Sequence, residues 1–167
     1  GHMVTSSYYM ETLPKWAKEF NAGHWLEKNL PASWTKFKPD SIYRKYGPDE
    51  LEGESPWSGG TSFPHPFTPE KKTSEAFNSP FGNSMLLDFA REALRNENLG
   101  KRNVTDLLCI SLSSTDLLGS LFGPNSHEMI DNLLRLDLGL ESFLTALVSG
   151  CGRASLLVVL TGDHGAL

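Results

Sequence analysis

Three side chains carry the chemistry that this sequence offers: Asp116, Asp163 and His164. Asp163-His164 sets a hard carboxylate beside an imidazole, and both are good ligands for a divalent ion such as zinc. Adjacent residues converge on one ion only where the backbone turns sharply. Gly162 and Gly165 permit such a turn. Asp116 closes Ser113-Ser114-Thr115-Asp116, a stretch that would serve equally as a turn or a helix cap. Each acidic position follows an apolar run, Leu107–Leu112 in one case and Leu156–Leu160 in the other. Two buried-type strands ending in carboxylates would place them on the ligand-binding edge of an open parallel sheet. His65, within Phe63-Pro64-His65-Pro66-Phe67, is a further candidate ligand, although a structural or solvent-exposed histidine is the simpler expectation.

Those positions need elements to hold them. Residues 6–21 read as a helix, with Tyr9, Leu13, Trp16 and Phe20 at helical spacing. Pro14 suits only a first turn, so the regular part is expected from about Thr12. His24-Trp25-Leu26 and Trp34 lie in a weaker segment, and packing is the expected role of these aromatics. Residues 38–82 hold seven of the ten prolines and no lasting period, which suggests a lid or linker. A helix is expected over 84–97, capped by Asn83 or Ser84, with Met85, Leu86, Phe89, Ala90, Ala93 and Leu94 on one face.

A first strand is expected at 105–112, then a loop marked by Gly119, Gly123 and Pro124. Asn125 or Ser126 should cap a helix over 126–148 whose stripe is Met129, Leu133, Leu136, Leu140, Leu144 and Leu147. Gly150 and Gly152 should break it before a second strand at 155–161. The result is a right-handed β-α-β unit with parallel strands. His127 reads as a surface residue without a role. Arg135 and Asp137 read as solvated or ion-paired.

Composition excludes several classes of function. The 167 residues suffice for one domain with a real core. A formal charge of −5 argues against a broad nucleic-acid surface. No apolar stretch approaches the ~20 residues of a membrane helix. Cys109 and Cys151 make no disulfide framework. Gly1-His2-Met3 resembles the remnant of a cleaved tag, leaving residues 4–167 as one partial domain. The abrupt end at Leu167 suggests a piece of a longer protein. Such a piece would expose strand edges and self-associate.

Several ordered motifs carry a resemblance. They are Ile110-Ser111-Leu112-Ser113-Ser114-Thr115-Asp116, Phe122-Gly123-Pro124-Asn125-Ser126, Leu134-Arg135-Leu136-Asp137 and Leu160-Thr161-Gly162-Asp163-His164-Gly165. Tyr8-Tyr9-Met10, Leu13-Pro14 with Trp16, Phe63-Pro64-His65 and Ser79-Pro80-Phe81-Gly82-Asn83 extend the match over nearly the whole chain. Together they resemble the alkaline phosphatase superfamily. The nearest branch is the type I phosphodiesterase/nucleotide pyrophosphatase family, with the secreted bacterial zinc alkaline phosphatases inside it.

The resemblance implies an α/β fold, an alkaline-phosphatase-like sheet with helices on both faces, here partial and truncated. It implies a two-zinc hydrolase of small-molecule phosphate esters, periplasmic or extracellular. By position Asp116 resembles a ligand of one zinc, and Asp163 and His164 the pair on the other. Two ions would clamp the attacking and leaving oxygens and lower the pKa of a hydroxyl nucleophile.

No stretch of this chain matches the family's nucleophile segment, so no catalytic residue is assigned. The pattern Asp-x-x-x-His is also broken, because Ser120, a poor zinc ligand, stands four residues after Asp116. This chain is therefore expected to be inactive by itself. A non-catalytic relative with degenerate metal sites, or a phosphonate or sulfate ester hydrolase, are the other readings.

Overall fold

A computed structural model describes residues 2–162, 164 and 165. Helices dominate it. The order is α1 (Lys15–Ala22), α2 (Trp25–Asn29), β1 (Ser33–Trp34), α3 (Asp40–Tyr43), β2 (His65–Pro66), α4 (Lys72–Phe77), α5 (Pro80–Asn96), α6 (Ser114–Phe122) and α7 (His127–Cys151). Short 3₁₀ turns follow α3 and α7. β1 and β2 pair antiparallel, with Trp34 opposite His65.

Local chemistry explains where the long helices begin and end. Pro80 occupies the first position of α5, where its fixed φ suits a helix and its missing N–H costs nothing. The helix thus starts four residues earlier than expected, and Asn83 is an interior residue rather than a cap. Ser126 does cap α7, its Oγ accepting from the Met129 N–H at 3.1 Å. Gly150 stays inside α7. Gly152, at φ +80°, ends it, because a side chain there would be strained. α1 begins only at Lys15, after Pro14, and exposed Tyr8 and Tyr9 precede it.

α6 replaces an expected loop. Gly119 and Ser120 disguise it in the sequence, yet each costs a helix interior no more than about 1 kcal/mol. Burying Leu118 and Phe122 offsets that cost. Gly123, at φ +84°, stops the helix.

The expected strands at 105–112 and 155–161 are not strands among the described residues, where β1 and β2 form the sheet. Their residue types suit strands, but a strand exists only through its ladder, and no described segment pairs with either one. Ile110 and Leu112 pack on the cluster of Leu87, Ala90 and Phe143 between α5 and α7. Leu107 and Leu157 face outward, 86% and 90% exposed. Cys109 is exposed as well.

The proline-rich stretch 38–82 is not a loose cover. It sends Trp57, Phe63, His65 and Phe67 into the main core beside Trp34, Leu118, Phe122 and Met129. Trp34 meets Phe63 edge-on at 5.1 Å and Trp57 at 6.1 Å between ring centroids, an arrangement favoured by the ring quadrupoles. Met129, Leu140, Leu144 and Leu147 of the expected α7 stripe do pack inward. Phe143 is its buried centre, whereas Leu133 is half exposed. Asp131 and Asn132 hold the inward face of its first half.

Candidate functional site

The first turn of α6 builds the rim. Ser113 stands at the cap position, and Ser114, Thr115 and Asp116 follow. Ser114 is buried and Asp116 is turned outward, its side chain 53% exposed. A carboxylate in a helix's first turn is favoured by the macrodipole, whatever else it does. His164, from the far end of the chain, places Nε2 3.7 Å from Asp116 Oδ1. Asp116 and His164 therefore approach one another, but the described residues lack the two parallel strands on which their expected meeting rested. Asp163 lies outside the described residues.

Ser120 sits one helical turn beyond Asp116 and is exposed. It lines a cavity of about 360 Å³ together with Leu51, Gly53, Gly119, Pro124 and Asn125. Zinc needs four ligands in a closed site, or three and an open position. Among the described residues no group of three His, Cys, Asp or Glu side chains could hold an ion. Asp116 and His164 alone do not fit a zinc ion.

Two buried polar clusters went unseen in the sequence. Asp131 is fully buried and accepts from Trp34 Nε1 at 2.7 Å, the Phe37 N–H at 2.6 Å, Arg135 Nε at 2.6 Å and the Tyr43 hydroxyl. Burial, and then the bond to Asp131, push the Tyr43 phenol up to about 12. Arg135 is thus ion-paired, as expected.

The second cluster lies under the start of α7. His65 Nε2 donates to Glu128 Oε1 at 2.7 Å, and both side chains are fully buried. His127 is buried too, which corrects its reading as a surface residue. Its Nε2 meets the Gly47 carbonyl oxygen at 3.0 Å and its Nδ1 lies 3.0 Å from Asp49 Oδ1. A residue at the start of a helix is usually open to water; here the 44–50 segment folds over it.

Glu54 belongs to the same region, with both carboxylate oxygens buried and unpartnered among the described residues. Burial, reinforced by the charges of Glu128, Asp49 and Glu50, pushes its carboxyl above the usual range. The folded chain then holds that proton more tightly than the unfolded chain does. Stability falls as pH rises from the unfolded value toward the folded one, and stays lower above it. Glu54→Gln should therefore melt a few degrees above the parent at about pH 7.5, and the gap should close below about pH 4. Thermal melts across that range check it.

The type I phosphodiesterase / nucleotide pyrophosphatase family matches residues 1–167, and the chain belongs to that family. Alkaline phosphatase PhoV of Synechococcus elongatus is 40% identical over 170 residues, covering 99% of this chain and 31% of that protein. Alkaline phosphatase PafA of Elizabethkingia meningoseptica is 36% identical over 176 residues, again 99% of this chain and 31% of that protein. A crystal structure of wild-type alkaline phosphatase PafA superposes with a TM-score of 0.85 at 33% identity, covering 90% of this chain and 30% of that one. The fold is therefore a helix-rich part of the alkaline phosphatase α/β fold. The chain spans about 31% of the length of these relatives.

Proposed function

We propose that the chain is part of a metal-dependent phosphate-ester hydrolase of the alkaline phosphatase or phosphodiesterase/nucleotide pyrophosphatase type. The observation that carries this reading is Asp116 and His164 meeting at 3.7 Å in a chain of this family. In the whole protein Asp116, Asp163 and His164 would be divided between two zinc sites completed by other residues. Location in the periplasm or outside the cell would follow from the family resemblance.

By itself the chain is inactive on this reading, since it carries neither a complete donor set nor a matching nucleophile segment. Zinc-supplemented chain should turn over no p-nitrophenyl phosphate. The whole protein should turn it over in a chelator-sensitive way. Zinc-dependent turnover by the chain alone would overturn the inactivity. A zinc-loaded whole protein without any phosphatase or phosphodiesterase turnover would favour the second reading, a non-catalytic relative, which Ser120 supports.

The exposed apolar residues Leu107, Leu157, Val159 and Leu160 support self-association of the isolated chain. Light scattering should show oligomers that grow with concentration; a monodisperse monomer at high concentration would count against it.

A further inference from the structure

We infer that Asn83 and Asn132 are positioning residues for Asp116, acting through the Thr115 hydroxyl. Three helices meet at this point. Asn83 of α5 and Asn132 of α7 are 2% and 0% exposed. Each donates from Nδ2 to Thr115 Oγ1 at 3.1 Å, and Asn83 Nδ2 also donates to Asn132 Oδ1 at 3.1 Å. A hydroxyl oxygen has two lone pairs, and the two amides fill both.

This arrangement fixes what apolar packing leaves free. Leu118 and Phe122 would tolerate a small slide or roll of α6, because dispersion contacts are not directional. Hydrogen bonds in a dry interior are directional, and an unmade one leaves a buried polar group stranded. With Thr115 turned inward to the amides, Asp116 follows about 100° around the helix, on the rim that His164 reaches. A second contact sets the helix along its axis. A Cβ at Gly82 would stand 2.2 Å from Ser114 Oγ and 3.1 Å from the Ala76 carbonyl oxygen, so α5 and the start of α6 approach as closely as glycine allows. The amide pair sets the roll of the turn and Gly82 its height.

The chemical consequence for metal binding rests on the role proposed above for Asp116; the placement itself does not. The test uses Thr115→Val, which keeps the shape and removes the acceptor, Thr115→Ser, which keeps the acceptor, and Asn132→Ala. Amide exchange is followed by NMR along the chain, together with the cross-peak between the Asp116 side chain and the His164 ring.

Thr115→Val and Asn132→Ala should speed exchange at residues 116–119 about tenfold or more and weaken that cross-peak, while α1 and the C-terminal half of α7 keep their protection. Thr115→Ser should behave like the parent. Should Asn132→Ala fail to fold, Thr115→Val decides. Exchange unchanged in Thr115→Val, a loss spread evenly over all helices, or a Thr115→Ser variant as perturbed as Thr115→Val would each overturn the inference. A Co²⁺ titration of the whole protein, with and without Asp116→Asn, separates the two readings. Uptake unchanged by Asp116→Asn overturns the metal role of Asp116, while the exchange pattern in the chain still decides the placement.

Discussion

Asp131→Ala is expected to destabilise the chain by about 3–5 kcal/mol, a large part of an ordinary domain's stability. The carboxylate is fully buried and serves four donors from three separate regions. Its removal leaves the Arg135 guanidinium without its carboxylate and strands the indole N–H of Trp34 and the phenol O–H of Tyr43 at once, while the Phe37 N–H keeps only its 3.0 Å bond to the Tyr43 hydroxyl. Trp34 stands in the middle of the main core, so the damage spreads to Trp57, Phe63 and Phe122. Asp131→Asn should cost less, because one amide oxygen still accepts while its NH₂ faces former donors. Urea unfolding measures both, as a lower midpoint at constant slope. A second readout is specific to the bond. Tyr43 should ionise at lower pH in the Asn variant, since burial still holds its proton but the carboxylate charge beside it is gone. A cost of less than about 1 kcal/mol for Asp131→Ala would show that the network is not what joins these regions.

This network also marks what the sequence could not disclose. Trp34 and Asp131 are 97 residues apart and His65 and Glu128 are 63 apart, and no local period links them. Local rules worked where a single residue decides. Ser126 capped α7, and Gly152 ended it. They failed at α5 because Pro80 looked like the last proline of an irregular stretch, when it was the first residue of a helix. They failed at α6 because Gly119 reads as a breaker, although burial of Leu118 and Phe122 outweighs its small cost. The apolar runs 107–112 and 156–160 were legible as strand-type sequence, but pairing is a property of neighbours and the described residues provide none. The expectation that Asp116 lies near His164 rested on two adjacent parallel strands; the 3.7 Å approach occurs without them among the described residues, so parallel strands do not account for it. The buried state of His127 was not legible, since it depends on a segment that crosses from residues 44–50.

Ser120→His is expected to raise the chain's zinc affinity at least about 100-fold, because loss of a mere outer-shell partner already costs 10–100-fold and this change adds a direct ligand. Residues four apart on a helix are neighbours, about 5–6 Å between Cβ atoms, so an imidazole at 120 reaches the ion that Asp116 would hold. Both positions are exposed, and the adjacent cavity of about 360 Å³ leaves room for the ring. Histidine and serine have similar helix propensities, so α6 should survive the change. On the proposed division into two sites, the variant would give Asp116 the imidazole partner that Ser120 denies it, while His164 would serve the other ion. Competition against a chromophoric chelator measures the affinity, and Co²⁺ absorption reports the ligand geometry. The control is decisive: adding Asp116→Asn to Ser120→His should abolish the gain, and Ser120→Ala alone should leave affinity unchanged. A gain that survives Asp116→Asn would mean the new histidine recruits other ligands. No gain at all would mean that the face of α6 bearing Asp116 does not point at a metal position, and the hydrolase reading of this rim would fall with it.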